Sequence, residues 1–367
     1  MTNFHETLTQ LDVFMGDMCN LKCTSCPCWM IERPPSWDIS MLADRFAEMI
    51  DYVEVRCPSF DRMMVIGGEP FLHGGVMEYF RQQNNNVCVS AYTNFAWESG
   101  DDITFRDNVR FFTSLDAHSE DLYRKIRRGR TFGLVKENLR RFSDRIVHVD
   151  TTISKLNLPH MADLLDMTEH IGCTHWFMPM DARVSFFNKQ IQDGLRSVTP
   201  RENLLADRTA GQLERILLDH DDLPAVGQFY ADCESPRIND FNAFEQLFRA
   251  GVSHYAGTNE DAGIDAGDAF IDDAVSERCP TLAHYMEVTF APSGGYVPFI
   301  HCPTLRRELD ATEGPEFQSF ADLMAWEESV RGLVKCSTAC SRTPYLKVDA
   351  LRVWGANSAK LGRKTFV

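Results

Sequence analysis

Three cysteines, Cys19, Cys23 and Cys26, stand in the run DMCNLKCTSC with the spacing Cys-x3-Cys-x2-Cys. Cysteine thiolates are the usual ligands of iron–sulfur clusters, and three this close can each hold one iron of a four-iron, four-sulfur cube. The fourth iron then has no protein ligand and can chelate an incoming small molecule, as the open position of a catalytic zinc does. A structural zinc is the competing reading, although such sites normally pair two knuckles of this kind or add histidine. A second feature is Gly67-Gly68-Glu69-Pro70 in the run MMVIGGEPFLHGG. Two glycines permit close backbone approach, and the Glu and Pro that follow fix where carbonyls and amides point. The turn is either a plain strand-to-helix connection or a backbone cradle for a ligand's ammonium group.

These residues need elements to position them. Short β-branched and aromatic runs at 11–14, 63–66, 87–91, 109–115, 146–153 and 175–178 alternate with amphipathic stretches, the pattern of βα units around a parallel sheet. Between the first two, Ile39, Leu42, Phe46, Met49, Ile50 and Val53 recur at helical spacing, and a similar helix is expected over about 119–142. Six units are too few to close an eight-fold barrel. The expected fold is therefore α/β, a partial (β/α)6 TIM-like barrel whose site lies at the C-terminal strand ends, where Cys19 and Gly67 both fall.

The triad, the GGEP strand end and the order of βα units together resemble the radical S-adenosylmethionine (radical SAM) superfamily, over about the first 180 residues. The resemblance implies that Cys19, Cys23 and Cys26 bind a 4Fe-4S cluster. It also implies that the open iron takes the amino and carboxylate groups of S-adenosyl-L-methionine, and that Gly67, Gly68, Glu69 and Pro70 form the turn holding the amino group. More loosely, Thr113-Ser114-Leu115-Asp116 resembles the family's SLD segment, from which polar side chains such as Ser114 and Asp116 reach the cofactor ribose. Thr93 and Asn94 in AYTNF resemble the common TNG, with Phe95 in place of glycine. Thr152, Ser154 and Asn157 match a position where a hydroxyl meets the cofactor carboxylate. Each of these is equally a strand-end hydrogen bonder. Asp181 and Arg183, just past the sixth strand, are candidates to face substrate, with surface salt bridging as the alternative. The implied chemistry is one-electron: the reduced cluster cleaves the sulfonium, and a 5′-deoxyadenosyl radical abstracts hydrogen from substrate. An external donor such as flavodoxin or ferredoxin supplies the electron.

After residue 180 the rhythm weakens. A helix is expected over about 203–220, and 251–276 carries six acidic residues, four glycines and no Lys or Arg, which marks a linker. Two short strands at 285–290 and 296–300 flank Pro292-Ser293-Gly294-Gly295, a hairpin signal, and 317–333 reads as a helix. Cys279, Cys302, Cys336 and Cys340 fall before, after and beyond these elements. Four such thiolates could complete a cluster or a cysteine-only zinc site. Their order resembles the twitch form of the SPASM extension, which implies a second, auxiliary 4Fe-4S cluster. The intermediate Cys-x2-Cys-x5-Cys run of full SPASM is missing, which leaves one cluster as the complement. Gly295 precedes Cys302 by seven residues rather than the usual five, so His301 or Cys233 could substitute. The expected domains are a barrel over 8–190, a helical and acidic linker region over 191–276, a cysteine-rich twitch/SPASM-like domain over 277–345, and a tail over 346–367. Cys57, Cys88 and Cys173 read as buried small hydrophobes, and Cys28 lies near the first triad.

The chain has 367 residues, is 44% hydrophobic and 25% charged, and carries a net charge of −16, which excludes fibrous or wholly disordered classes and argues against broad nucleic-acid binding. The basic run RKIRRGR at 124–130 reads as a solvated helix start or as an anchor for an anionic substrate or leader peptide. No apolar stretch is long enough to span a membrane and no signal peptide opens the chain, so the cytoplasm is expected. Twelve cysteines in a reducing compartment suit metal binding or catalysis more than disulfides. The function expected first is a radical SAM enzyme acting on a small molecule by dehydrogenation, epimerisation or rearrangement, of oxidoreductase or epimerase class. A ribosomal-peptide maturase is the second expectation, disfavoured because only eighteen residues precede Cys19, too few for a leader-binding domain. A non-catalytic zinc-binding interaction protein is the third.

Overall fold

A computed structural model of the chain describes residues 4–16, 18–24, 26, 39–83, 86–100, 103–180, 215–233, 235–242, 244–245, 248, 285–291, 293–298 and 314–331. After a short helix α1 (Phe4–Thr7), the chain runs β1 (Gln10–Phe14), α2 (Ile39–Arg56), β2 (Arg62–Ile66), α3 (Gly74–Gln82), β3 (Cys88–Thr93) and β4 (Val109–Ser114). It continues with α4 (Glu120–Ile126), α5 (Phe132–Arg141), β5 (Ile146–Ile153), α6 (Met161–Glu169) and β6 (Thr174–Pro179). Beyond these lie α7 (Leu223–Asp232), β7 (Tyr285–Phe290), β8 (Tyr296–Pro298) and α8 (Phe320–Arg331).

All six expected strands form, with ends displaced by at most two residues. They order as β6-β5-β4-β3-β2-β1-β7-β8, and every neighbouring pair is parallel except β7 with β8. Parallel strands joined through helices carry their loops at the same ends, which gathers the segments after β1 to β6 on one rim. The expected hairpin forms, but its first strand joins the barrel sheet itself: β7 lies parallel to β1, with Val13 opposite Val288. The result is a mixed α/β fold around an eight-stranded, mostly parallel sheet, as a partial TIM-like barrel requires.

Period-two alternation sorts the strand residues. Leu11, Val13, Val65, Val89, Ala91, Phe111, Val149 and Phe177 belong to the core packed under the helices, where Phe111 meets Phe95, Phe105 and Phe142 with ring centroids 5.2–5.5 Å apart. The opposite face carries polar groups, among them Asp12, Ser90, Tyr92, His148 and Asp150. One extra residue in β5 sets this phase: Phe111 pairs with Ile146 but Phe112 with His148, a bulge that turns His148, Asp150 and Thr152 to the inner face.

Two expectations change. The single helix expected over 119–142 is broken into α4 and α5 at residues 127–131, where Arg128 takes φ 54°. A Cβ on Gly129 would come 2.7 Å from the Leu21 side chain, so the break brings the chain hard against the loop that follows β1. Of the helix expected over 203–220, only 215–220 is described, and it is turn and irregular chain. The linker expected over 251–276 lies outside the described residues.

The hairpin and α8 dock on α2 through Glu48. Its carboxylate accepts from the Tyr296 hydroxyl, the Phe320 N–H and the Arg45 guanidinium, each at 2.8 Å. Arg45 also lies over the Tyr296 ring, 5.1 Å from its centroid. Replacing Glu48 by Ala should lower the unfolding free energy by about 2 kcal/mol, the scale of one hydrogen bond to a charged group. Chemical denaturation would check this, and a change below about 0.5 kcal/mol, the range of ordinary surface substitutions, would show that the docking does not depend on Glu48.

Candidate functional site

The cysteine loop leaves β1 at Phe14 and is fastened on two sides. Toward β2, Met15 N–H donates to Ile66 O at 2.8 Å, Gly68 N–H to Gly16 O at 2.9 Å and Glu69 N–H to Met18 O at 2.8 Å. Gly67, with φ 139°, sits so close that a Cβ would lie 2.7 Å from Gly16 O, so the first glycine of the GGEP turn is required by the neighbouring loop. Toward α4, Thr24 N–H donates to Ile126 O at 2.8 Å and Lys22 N–H to Arg127 O at 3.3 Å, while the Thr24 hydroxyl adds a bond to Ile126 O at 3.0 Å. Carbonyls at a helix C-terminus lack intrahelical partners, and the loop satisfies them here.

Cys19, Cys23 and Cys26 are free thiols on this loop. Cys19 Sγ accepts from Leu21 N–H at 3.4 Å and from Asn94 Nδ2 at 3.6 Å. Cys23 is 8% exposed, and its Sγ lies 3.8 Å from Arg127 Nη1. Burial pushes the Cys23 thiol up to about 11, against the pull of the Arg127 guanidinium, and raises Cys19 as well. Thiols so placed stay protonated at neutral pH unless a metal centre draws off the proton. Soft sulfur donors with N–H groups and one cation directed at them fit a 4Fe-4S cluster, whose potential is set by hydrogen bonds to sulfur and by burial.

Arg127 corrects the reading of the basic run as solvated. Its side chain turns inward, 6% exposed, and its Nε lies 2.7 Å from Asp116 Oδ2, itself 3% exposed. Arg124 of the same run stays outside, paired with Glu120. Burial raises the Asp116 carboxyl, opposed by the guanidinium and by Thr152 N–H, which donates to Oδ1 at 2.9 Å. Asn157 ties this place together. Its amide donates to Asp116 O at 3.1 Å and Thr152 O at 2.9 Å, while its oxygen accepts from Ser154 N–H at 2.7 Å and from the Ser154 hydroxyl at 3.1 Å. Ser154 is therefore engaged in its own turn. Ser114 ends β4 half-buried on the inner face.

Glu69 is fully buried beneath the turn. Its carboxylate accepts from the Thr93 hydroxyl at 2.8 Å, Asn94 N–H at 2.7 Å and Phe71 N–H at 3.2 Å. Burial pushes this carboxyl up to about 7, with those three donors acting against it. Thr93 also receives Trp97 Nε1 at 2.9 Å, and Asn94 donates to Asn20 Oδ1 at 2.9 Å. Pro70 starts a short 3-10 turn that Glu69 caps. The structure thus brings together Gly67, Gly68, Glu69, Pro70, Thr93 and Asn94 with Cys19, and Asp116 with Cys23. Asp181, Arg183, Cys279, Cys302, Cys336, Cys340, Cys28 and His301 lie outside the described residues. Cys57 and Cys173 are buried as expected, whereas Cys88 is half-buried beside Ser90 at 3.6 Å.

A chain of polar groups on the inner face was not anticipated. The Tyr92 hydroxyl donates to Asp150, whose other oxygen lies 2.7 Å from His148 Nε2; His148 Nδ1 in turn meets Thr174 Oγ1 at 2.7 Å. Trp176 stands edge-on to His148, and its Nε1 is buried without a hydrogen-bond partner among the described residues. His148 and Asp150 alternate with Val147 and Val149 in the strand run, the one sequence signal that could have found them.

Residues 13–167 match the family model of the radical SAM superfamily. A curated relative, the GTP 3′,8-cyclase of Paracoccus denitrificans (strain Pd 1222), is 29% identical over 138 residues, covering 34% of this chain and 38% of the relative. The match thus spans well under two thirds of that enzyme. Among solved structures, Streptococcus suis SuiB bound to S-adenosylmethionine is 10% identical with a TM-score of 0.47, over 84% of this chain and 63% of that one. Coproporphyrinogen III oxidase (HemN) from Escherichia coli, a radical SAM enzyme, is 10% identical with a TM-score of 0.42, over 98% of this chain and 85% of that one.

Replacing Arg127 by Met leaves Asp116 buried without its cation. A loss of about 3–5 kcal/mol is expected, the cost of breaking a buried pair from one side. Urea denaturation of Arg127→Met beside Asp116→Asn/Arg127→Met should show the double variant recovering part of the loss. Equal stability of the single variant and the parent would remove the pair from the account.

Proposed function

We propose that the chain is a radical SAM enzyme acting on a small molecule, with a cluster held by Cys19, Cys23 and Cys26. The observation that supports this reading is the double fastening of one cysteine loop, to the Gly67-Gly68-Glu69 turn and to the end of α4, with Leu21 N–H, Asn94 Nδ2 and Arg127 directed at sulfur. When bound, the cluster and S-adenosylmethionine supply a carbon-centred radical that abstracts hydrogen from substrate.

The chain's own residues hold the reactants and exclude water. Gly67 and Gly68 keep side chains away from the rim where the cofactor's methionine end would lie. Pro70 and the Glu69 carboxylate fix the turn, and through Thr93 and Asn94 Glu69 sets the end of β3. An ammonium group beside Glu69 would favour its ionised form. Ser114, Asp116 and Ser154 close the rim over β4 and β5 toward the cofactor's ribose and carboxylate. Below them Tyr92, Asp150 and His148 offer hydrogen-bonding partners for a substrate's polar group. Asp181 and Arg183, which follow β6 in the sequence, remain candidates.

A small-molecule substrate agrees with the curated relative, which is named for a nucleotide. The reaction is assigned to the oxidoreductase or epimerase class, as a dehydrogenation, epimerisation or rearrangement. Cys279, Cys302, Cys336 and Cys340, within a C-terminal unit over 277–345, are proposed to carry an auxiliary 4Fe-4S cluster that accepts the substrate electron. Flavodoxin or ferredoxin is the proposed donor to the first cluster. Among the described residues no helix is long and apolar enough to cross a membrane. Clusters of this kind suit a reducing compartment, in keeping with a cytoplasmic site of action.

Anaerobic reconstitution should give about eight irons per chain, four per cube. Replacing Cys19, Cys23 and Cys26 together by Ala should halve the iron and abolish 5′-deoxyadenosine formation under dithionite. Full iron with continued cofactor cleavage in that variant would overturn the assignment. Mass spectrometry of products from candidate metabolites and peptides would separate the small-molecule reading from a peptide substrate.

A further inference from the structure

Apart from the cysteine loop, three ligand-bearing side chains converge on the same rim. His118 follows β4, two residues beyond Asp116, while His160 stands immediately before α6 and Asp163 in its first turn. One donor atom from each lies within 4.8 Å of the others. His160 Nδ1 is 3.1 Å from Asp163 Oδ2, His118 Nε2 is 3.8 Å from the same oxygen, and the two imidazole centroids are 4.5 Å apart.

The contact between His118 and Asp163 is incomplete as it stands. At 3.8 Å a proton on Nε2 is too far from the carboxylate for a hydrogen bond. A proton on Nδ1 instead leaves two lone pairs facing each other across the gap. Nδ1 itself is buried and has no partner among the described residues, so neither tautomer satisfies the ring. A cation in the gap removes the repulsion between the two lone pairs. It accepts the Nε2 lone pair, neutralises Asp163 and fixes the ring proton on Nδ1. The spacing suits a small divalent ion, because two donors each about 2.0–2.1 Å from tetrahedral zinc are about 3.3 Å apart.

We propose that His118, His160 and Asp163 form a binding site for a divalent transition metal of the zinc class. Two imidazoles and a carboxylate favour zinc, nickel or cobalt over calcium or magnesium, which prefer all-oxygen sites. The ion ties the loop after β4 to the start of α6. Those two segments are already joined by the bond from Asn157 to Asp116 O, so the metal braces the loop that positions Asp116 against Arg127. The proposal is independent of the substrate and of the cysteine chemistry.

The test uses the full chain, purified anaerobically with its cysteine sites reconstituted, and titrates zinc(II) against a chromophoric chelator. His160→Ala and Asp163→Ala replace partly exposed side chains and should leave the circular dichroism of the fold unchanged. The parent should bind one zinc more than either variant, and zinc should raise the thermal midpoint of the parent alone. Cobalt(II) at the site should give tetrahedral ligand-field bands that vanish in His160→Ala, without a sulfur charge-transfer band of their own. Zinc bound equally by parent and variants, whether at cysteines or elsewhere, would overturn the proposal, as would no zinc bound by the parent.

Discussion

Arg127 carries its charge into the interior, where it stands between the Asp116 carboxylate and the Cys23 sulfur. A buried guanidinium is tolerated only when paired, and the pairing here dictates much of the surrounding backbone. The helix over 120–126 has to end where it does so that Arg127 can turn inward and its carbonyl, with that of Ile126, can receive the cysteine loop. The left-handed Arg128 and the close packing of Gly129 on Leu21 follow from the same requirement. One side chain thus joins β4, the end of α4 and the cysteine loop.

The second support is a carboxylate held in the same manner. Glu69 lies under the GGEP turn and orders the end of β3 through Thr93 and Asn94, while the turn's own amides grip the loop through Gly16 and Met18. The two buried acids follow β2 and β4, on either side of β3, and act on opposite flanks of the triad. This arrangement needs parallel strands, because only then do the ends of β1, β2, β3 and β4 arrive at one edge. The bulge in β5 adds the inner polar chain of Tyr92, Asp150 and His148 below that edge.

Much of this was legible in the sequence because it rests on local patterns. The Cys-x3-Cys-x2-Cys spacing, the GGEP turn and the apolar strand runs each have a short-range signature, and the structure puts all of them on one rim. Arg127 was not legible: within a run of five basic residues out of seven, nothing local distinguishes the one that turns inward. The break between α4 and α5 was missed for the same reason, since it answers to a loop a hundred residues earlier. The joining of β7 to β1 depends on a pairing across more than 270 residues, which strand periodicity cannot express. His148 and Asp150 were passed over because polar residues within a strand were read as part of an apolar run.

In the proposed reading, the loop fastened by Arg127 and the GGEP turn presents three thiolates to a cluster whose open iron receives S-adenosylmethionine. Electron paramagnetic resonance of the dithionite-reduced protein, recorded before and after adding S-adenosylmethionine, tests it most directly. A four-iron component is expected whose g values move on addition, and which is missing when Cys19, Cys23 and Cys26 are replaced. A reduced spectrum that the cofactor leaves unchanged would contradict it.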